Sequence, residues 1–510
     1  MHPEIRLGLN LDRSTKGLAR EWLFLAILAC GVIALVIVRS ERTPEGHVYM
    51  KDGRFELNGE PYFPMVLNYI MNLQSDGDRI WASPYQGYEP GYGFAHFDRD
   101  SCLMQFRSDL LLIKEMGFNA LRIVKLAEGP VRDHASGDLS LKVFKPDGKD
   151  TLLFLDQHVH EKQMQAVKDV LRIAEETGIK IILLTNLHAG ERAWEENWQR
   201  TVSSLKDEKA ILAFDLFNEP LYFDSLERTK EEVHAIVKGW RRSMEKFAPH
   251  HLFTIGLQGI REVPEWDPNI LDVDFISFHP YEYEPDQVRN EMRWYHENVE
   301  VPWIIGETSL PADNDSVPYS DQSAFAEKVL RQARDCGACG FSWWQYKDVE
   351  WGEFHPGFMG VVSLDGSTTI EGAPLPISGT PKPVSHAIKA FDPKAAAGEC
   401  LLLPNYANYS EHRVSMLTGR LIDEERRPIK GGFIIGWNEH WSHSYHTVSD
   451  ENGYFELRGD MHFHHWMASA TRYSHVRGDA YPNSYITKET GIPEFYLGEL
   501  MLERLSFADR

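Results

Sequence analysis

The sequence is poor in cysteine and in basic residues, and both shortages restrict what the protein can be. Five cysteines among 510 residues are too few and too scattered for a disulfide framework. Lys and Arg number 53 against 76 Asp and Glu, which gives a net charge of −23. Because phosphate binding needs clustered cations, this balance argues against a nucleic-acid partner and favours a neutral ligand.

Cys336 and Cys339 are the only closely spaced cysteines in the chain. Their spacing copies that of a redox or zinc half-site, but no second pair completes such a site. We expect a turn between them, and a local disulfide is the alternative.

Two groups of histidines near the C-terminus have spacings that superficially resemble those of zinc ligands. The six residues are His440, His443, His446, His462, His464 and His465. Residues three apart in a strand face opposite sides, and no carboxylate or thiolate set completes either group. The sequence therefore predicts neither a metal nor an organic cofactor.

The longest uncharged run, residues 22–38, is flanked by Arg20 and Arg39. Its 17 residues lie at the short limit for crossing a bilayer, and no small-residue cleavage site follows it. We expect an uncleaved transmembrane anchor after a tail of residues 1–21, with lipidation of Cys30 as the alternative. Basic residues are balanced on the two sides of the run, so their distribution does not choose an orientation.

Strand and helix patterns alternate between residues 45 and 392. Eight apolar runs are candidate parallel strands: 63–68, 120–124, 181–186, 211–217, 253–257, 275–279, 303–307 and 340–344. Amphipathic stretches separate most of them, and residues 383–391 would supply the last helix. This count predicts an α/β fold of the (β/α)8 TIM-barrel type, and a doubly wound sheet is the less natural alternative.

The last hundred residues differ in character from the barrel region. Residues 393–413 have no helical or strand period and are predicted to be a linker. Short β-like runs and turn signals from 414 to 506 predict a small β-sandwich. Segments 419–429 and 447–457 resemble the carboxypeptidase regulatory-like domain.

Glu219 and Glu307 each end a short apolar run, where an ordinary buried strand would not place a charge. A carboxylate at the carboxyl end of an apolar strand loses solvation and needs hydrogen-bonding partners or a chemical role. In a parallel α/β barrel that end is the functional face. Two such residues on different strands can flank one scissile bond.

The ordered strand ends resemble the clan A retaining glycoside hydrolases, which are (β/α)8 barrels, and are nearest to family 5, with its cellulase, β-mannanase and β-mannosidase-like enzymes. The matching segments are Asn119-Ala-Leu-Arg122, Leu184-Thr-Asn-Leu-His188, Phe217-Asn-Glu-Pro220, Phe278-His-Pro-Tyr281, Ile305-Gly-Glu307 and Gly340-Phe-Ser-Trp-Trp-Gln-Tyr-Lys-Asp348. The resemblance covers nearly all of the barrel region.

The resemblance implies a role for each of these residues. Glu219 would be the acid/base and Glu307 the nucleophile of a double displacement. Six further residues would bind substrate or support the carboxylates: Arg122, His188, Asn218, His279, Tyr281 and Trp344. Arg122 is expected to lower the pKa of Glu307, and Trp344 is favoured over adjacent Trp343 as the floor of the sugar site.

We therefore expect a glycosidase that acts on an oligosaccharide or polysaccharide of β-linked hexose, of mannan or glucan type. The alternative is a catalytically silent, membrane-tethered glycan-binding or scaffold protein. Polysaccharide is met outside the cytoplasm, so we expect the catalytic domain to be extracytoplasmic, either periplasmic or at the cell surface. The sequence does not determine the sugar, the endo or exo mode, or the oligomeric state.

Overall fold

Eight parallel strands form a closed barrel at the centre of the structure. In chain order they are β1 (Met65–Ser75), β2 (Ala120–Val124), β3 (Lys180–Leu184), β4 (Ile211–Asn218), β5 (Leu252–Leu257), β6 (Phe275–Phe278), β7 (Trp303–Ile305) and β8 (Phe341–Trp343). Each strand pairs with the next, and β8 pairs with β1 to close the ring. The predicted barrel is confirmed, and a doubly wound sheet is excluded because such a sheet has open edges.

The structure is a computed structural model that describes residues 45–85, 93–134, 136–224, 226–282, 285–349, 357–403, 414–487 and 491–507. The predicted anchor at 22–38, with Cys30, lies outside these residues. Among the helices that the structure describes, none is long and apolar enough to cross a membrane.

The barrel strands are buried on both faces, which explains why they are continuous apolar runs rather than alternating ones. A hairpin of Val48–Lys51 and Arg54–Leu57 precedes β1. Its Phe55 ring packs edge to face on Phe275 of β6, with the ring centroids 5.0 Å apart. The hairpin thereby covers an apolar cluster that contains residues of most barrel strands.

Helices surround the barrel, and three of them begin at residues whose side chains cap the helix. They are α1 (Arg99–Glu115), α2 (Gln157–Thr177), α3 (Arg192–Ser204), α4 (Pro220–Phe223), α5 (Lys230–Phe247), α6 (Gln287–Asn298), α7 (Tyr319–Asp335) and α8 (Val384–Ala390). Asp98 and Asp156 cap α1 and α2, and Thr229 forms a capping box with Glu232 at α5. Between β5 and β6 the chain forms two short 3-10 helices, Ile260–Glu262 and Pro268–Ile270, in place of an α-helix.

Additional strands decorate the barrel without interrupting it. The long β1 continues past the barrel and pairs with Ile80–Pro84. Leu139–Phe144 pairs with Val131–Arg132 and with Asp150–Phe154. A small ladder joins Ser367–Thr368 to Ile377–Ser378.

Two four-stranded sheets follow the barrel in the C-terminal region. Their strands are β9 (Ser415–Ile422), β10 (Phe433–Trp437), β11 (Ser444–Val448), β12 (Tyr454–Gly459), β13 (His465–Ser469), β14 (His475–Asp479), β15 (Ile486–Thr487) and β16 (Pro493–Met501). The sheet orders are β12-β9-β16-β15 and β11-β10-β13-β14. Apolar residues of both sheets share one core, as expected for a sandwich.

The C-terminal sheets pack directly on the barrel, and Gly46–Arg510 forms one compact unit. Phe433 and Ile435 of β10 belong to the same apolar cluster as the barrel core. The buried Lys230 ammonium donates to Asp267 at 2.9 Å and to the Ala470 carbonyl at 2.8 Å. Trp294 donates its ring N–H to the Gly431 carbonyl at 2.8 Å.

The chain turns after Cys336, as expected, and the alternative of a local disulfide with Cys339 is wrong. Cys336, at the end of α7, is bonded to Cys400, 64 residues later. Cys339 is buried at the start of β8, where its thiol lies 3.1 Å from the Trp303 carbonyl. Cys336 and Cys339 pack in different apolar clusters: Cys336 belongs to the main core, and Cys339 belongs to the cluster under the hairpin. The disulfide also holds residue 400, in the predicted linker, against the barrel.

Candidate active site

Glu219 and Glu307 meet at the carboxyl end of the barrel. Glu219 directly follows β4, and Glu307 follows β7 after one glycine. One carboxylate oxygen of each residue and one ring nitrogen of His279 all lie within 4.8 Å of one another. Carboxylates this close match the short separation of retaining glycosidases, about 5 to 5.5 Å, rather than the separation of inverting ones.

The backbone at Glu219 adopts a rare conformation. Its φ of 45° lies in the left-handed region, which costs a non-glycine residue about 1 to 3 kcal/mol. Hydrogen bonds on both sides fix it there: the Glu219 N–H donates to the Gly256 carbonyl at 2.8 Å, and the Tyr222 N–H donates to the Glu219 carbonyl at 2.9 Å. The carboxyl is thereby directed away from the line of β4.

A buried arginine organises the site. Arg122 of β2 donates from Nε to Asp215 at 2.7 Å and from Nη2 to the Asn218 side chain at 2.7 Å. Its Nη1 donates to Asn68 at 3.1 Å and forms an ion pair with Glu307. One planar guanidinium therefore fixes side chains from β1, β4 and β7 together.

The two carboxyls have unequal surroundings. Glu307 contacts Arg122 and accepts a hydrogen bond from the Tyr281 hydroxyl at 3.3 Å, whereas the Glu219 carboxyl contacts His279. Burial raises the pKa of Glu219 to about 7, against a smaller lowering by Arg122. The Glu219 carboxyl therefore holds a proton more readily than an exposed glutamate does.

Arg122 acts to lower the pKa of Glu307, as predicted, but the net shift of that pKa is upward. Burial raises the pKa of Glu307 above its usual value, although His279 and Arg122 both act to lower it. The sequence indicated the cation but not the depth at which the carboxylate lies. Charged neighbours therefore offset only part of the desolvation of this carboxylate.

His279 links the site to the barrel wall. Burial lowers the pKa of His279 to about 4, so its ring is neutral near pH 7. Its Nδ1 lies 2.9 Å from Glu219 and its Nε2 lies 3.3 Å from the Ser277 hydroxyl. With Ser277 donating to Nε2, Nδ1–H donates to Glu219. A Cβ on Gly306 would lie 2.9 Å from the ring, so the glycine before Glu307 makes this approach possible.

The structure distinguishes the two adjacent tryptophans of β8. Trp343 is fully buried, and its ring N–H donates to the Met359 carbonyl at 2.9 Å. Trp344 is only partly buried and packs against the apolar cluster at the barrel mouth that contains Ile70 and Val124. Trp344 is therefore the more exposed of the two tryptophans.

His188 is a predicted site residue that the structure leaves outside this network. It follows β3, its side chain is exposed, and its ring contacts Trp194 with the centroids 5.1 Å apart. The structure thus joins six of the eight predicted site residues in one network of polar contacts: Arg122, Asn218, Glu219, His279, Tyr281 and Glu307.

Three supporting residues were absent from the predicted set: Asn68, Asp215 and Ser277. Asn68 donates to the Gly306 carbonyl at 2.9 Å, and Asp215 is fully buried against Arg122. A role for Asp215 could have been predicted from the sequence, because its charge lies inside the apolar run of β4. Ser277 shows no comparable signal, since serine is common in strands of any kind.

A second cluster contains the same residue types as the site. We call Arg122, Glu219, His279 and Glu307 the cleft cluster, and we call Arg261, Glu282, Glu291 and His446 the interface cluster. The second set joins the barrel to β11 of the C-terminal sheets, because His446 belongs to that strand.

The interface cluster has the donor atoms of a metal site but not the required lone pair. Arg261 donates from Nε to Nδ1 of His446 at 3.3 Å. Neutral imidazole then carries its proton on Nε2, which lies 3.4 Å from Glu282 and 3.7 Å from Glu291. Nε2 is then protonated and offers no lone pair to a cation. Of the six histidines near the C-terminus, His446 thus belongs to the interface cluster, where it accepts a hydrogen bond from Arg261.

A family model described as cellulase, glycosyl hydrolase family 5, matches residues 95–347. That span begins just before α1 and ends just after β8, so it contains both glutamates and the network around them. No curated protein sequence matches the chain.

Solved structures with similar folds include three glycoside hydrolases. A β-glucuronidase from Bacteroides uniformis is 14% identical over 89% of this chain and 48% of its own, with a TM-score of 0.44. GH5_18 from Streptomyces cattleya, in complex with GlcNAc, is 14% identical over 71% and 84%, with a TM-score of 0.44. An endo-1,4-β-mannanase from Rhizomucor miehei is 13% identical over 59% and 90%, with a TM-score of 0.39. The chain spans about half the length of the first of these proteins.

Proposed function

Because the chain is a glycosidase with a domain of the family 5 type, we propose that it is a retaining glycoside hydrolase. Its substrates are β-linked hexose glycans of the mannan or glucan type. Glu307 is the nucleophile and Glu219 is the acid/base. The observation that supports this proposal is the close approach of two carboxyls whose surroundings differ.

The unequal surroundings support the assignment of the two roles. The ion pair with Arg122 and the hydrogen bond from Tyr281 stabilise negative charge on Glu307. The pKa of Glu219, raised to about 7 by burial, keeps a proton available near neutral pH. One carboxyl is thus prepared to attack and the other to donate a proton.

The reaction follows in two steps. In the first, a Glu307 oxygen forms a bond to the anomeric carbon while Glu219 gives its proton to the departing glycosidic oxygen. In the second, Glu219 removes a proton from water, whose oxygen attacks the same carbon and releases Glu307. Asn218, held by Arg122 at 2.7 Å, is available to hydrogen-bond the sugar 2-hydroxyl.

We also propose that the protein is anchored by residues 22–38 with its barrel outside the cytoplasm, where polysaccharide is found. The uncharged run in the sequence supports the anchor. Protease accessibility of the barrel tests the orientation. In cells whose outer barrier has been opened while the inner membrane stays intact, an extracytoplasmic barrel is digested and a cytoplasmic one is protected.

Trapping and product analysis test the catalytic proposal. The full-length chain is incubated with activated 2-deoxy-2-fluoro mannosides and glucosides, and labelled peptides are identified by mass spectrometry. We expect the label on Glu307 and products with retained anomeric configuration. Inverted products, or a label on another residue, would reject the mechanism. Glycan binding without turnover of any β-mannoside or β-glucoside would favour the silent scaffold instead.

A further inference from the structure

A cavity of about 340 Å³ lies between the carboxyl end of the barrel and the C-terminal sheets. The barrel contributes α4 and the turn after β5, including Tyr222 and Arg261. The C-terminal sheets contribute the start of β11, the strand β10 and the loop between them, including Trp441 and Ser444. The cavity is therefore built by two regions of the chain that are remote in sequence.

The barrel wall of this cavity is the segment that follows the proposed acid/base. Leu221 and Tyr222 line the cavity and come two and three residues after Glu219. The Leu221 N–H donates to Glu262 at 3.0 Å, and Glu262 also lines the cavity. Since the acid/base protonates the departing oxygen, it stands on the leaving-group side of the scissile bond. The segment that directly follows this residue is therefore a wall of the cavity.

Two aromatic side chains at this cavity expose much of their surface. Trp441 is 52% exposed and Tyr222 is 58% exposed. Exposed aromatic groups close to a cavity are typical of ligand-binding grooves rather than of core packing. Flat apolar surface of this kind suits the faces of sugar rings.

Trp441 is held in a defined position by a strained turn. Its φ of 55° lies in the left-handed region. The Asn438 side chain accepts a hydrogen bond from the Ser442 N–H at 2.9 Å, and the Asn438 carbonyl accepts one from the Trp441 N–H at 3.2 Å. The Trp441 ring also packs on Trp437, with the centroids 4.3 Å apart. A fixed aromatic ring costs little entropy when a ligand binds.

Polar groups beside the aromatic rings suit a ligand rich in hydroxyls. The same cavity is lined by polar side chains that offer hydrogen-bond donors and acceptors, namely those of Ser442, Ser444, Arg261 and Glu265. Small-molecule sites combine an apolar lining with a few such groups. Acidic and basic groups are both present, which favours an uncharged ligand.

From these observations we infer that the C-terminal sheets, through Trp441, complete a binding site for the sugar units on the leaving-group side of the substrate. This inference rests on the proposed function. It assigns to the C-terminal region a direct part in substrate recognition beyond its packing on the barrel. The ligand class is a neutral β-linked oligosaccharide that extends on the leaving-group side as far as Trp441.

The test compares two substrates in the full-length protein. One is an oligosaccharide with several units beyond the scissile bond, and the other is an aryl glycoside with a single ring there. We expect Trp441→Ala to lower kcat/KM for the oligosaccharide by roughly five- to tenfold more than for the aryl glycoside, mainly through KM. Trp441→Phe, which keeps a ring, should recover most of the difference.

Tyr496→Ala is the matched control, because Tyr496 is a 59% exposed aromatic residue on β16, in the other sheet. It should change the two substrates equally. Equal effects of Trp441→Ala on both substrates, or no effect, would overturn the inference while leaving the catalytic proposal intact. Failure of the wild-type protein to turn over either substrate would instead reject the catalytic proposal itself.

Discussion

The cleft cluster and the interface cluster each contain four residues of the same three types: two glutamates, one histidine and one arginine. In both, the arginine pairs with a glutamate, and a histidine ring nitrogen lies within 4.8 Å of an oxygen of each acid. They differ in what covers them. The cleft cluster faces the barrel mouth, whereas strand β11 of the C-terminal sheets lies over the interface cluster.

This difference changes what the carboxyls can do. The side chains of Glu219 and Glu307 remain 14% and 9% exposed, whereas those of Glu282 and Glu291 are 1% and 3% exposed. The carboxyls of the first pair are therefore more accessible to solvent than those of the second. Clusters of the same residue types can thus differ in whether a ligand could reach them.

The largest predicted effect is the loss of the nucleophile from the cleft cluster. Glu307→Ala should lower kcat by roughly 10⁴-fold or more with both oligosaccharide and aryl substrates, because no covalent intermediate can form. Initial-rate assays on both substrates check this, with Glu282→Gln in the interface cluster as the control for removal of a buried carboxylate. Comparable losses in the two variants would erase the distinction between the clusters.

Removal of the proposed acid should depend on the leaving group. Glu219→Ala is expected to slow hydrolysis of a natural oligosaccharide by about 10²- to 10⁴-fold and that of an activated aryl glycoside far less, since only a poor leaving group needs the proton. Steady-state rates on a series of aryl glycosides of increasing leaving-group pKa measure this dependence. Equal losses across the series would contradict the role of Glu219.

The pH profile should separate the two carboxyls of the cleft cluster. Glu219 must be protonated to act as the acid, so kcat/KM should fall about tenfold per pH unit above its pKa of about 7. Glu307 must be ionised, so the rate should also fall at low pH. The basic limb should vanish for an activated aryl substrate in Glu219→Ala. A basic limb that persists unchanged would assign it to another group.

The smallest effect is expected from the interface cluster and concerns stability. Burial and the neighbouring Glu291 raise the pKa of Glu282 well above 4.5. The folded protein therefore holds this proton more tightly than the unfolded chain does, so the contribution to stability is complete below pH 4.5 and is lost as pH rises toward the folded pKa. Glu282→Gln copies the protonated form and should remove this loss.

Thermal unfolding of the wild type and of Glu282→Gln between pH 5 and pH 8 tests this linkage. We expect similar Tm values at the acidic end and a Tm higher by about 2 °C or more for the variant at the basic end, with hydrolytic activity retained. Parallel Tm curves would mean that Glu282 does not hold the proton.

Sequence patterns predicted the barrel and the meeting of the two glutamates because both depend on strand order and period. Once β4 and β7 belong to one parallel barrel, their carboxyl ends must share a face. Patterns could not predict that Cys336 pairs with Cys400, since pairing depends on which surfaces the chain brings together. They also missed the raised pKa of Glu307, which arises from burial.

The repeating strand and helix units, the positions of Glu219 and Glu307 at strand ends, and an acidic net charge can all be read from the amino-acid sequence. The contact of His446 with Glu282, and the cavity that Trp441 shares with Tyr222, follow from the packing of the C-terminal sheets on the barrel. Periodicity is a local property, whereas desolvation and contact between distant segments depend on how the folded layers cover one another.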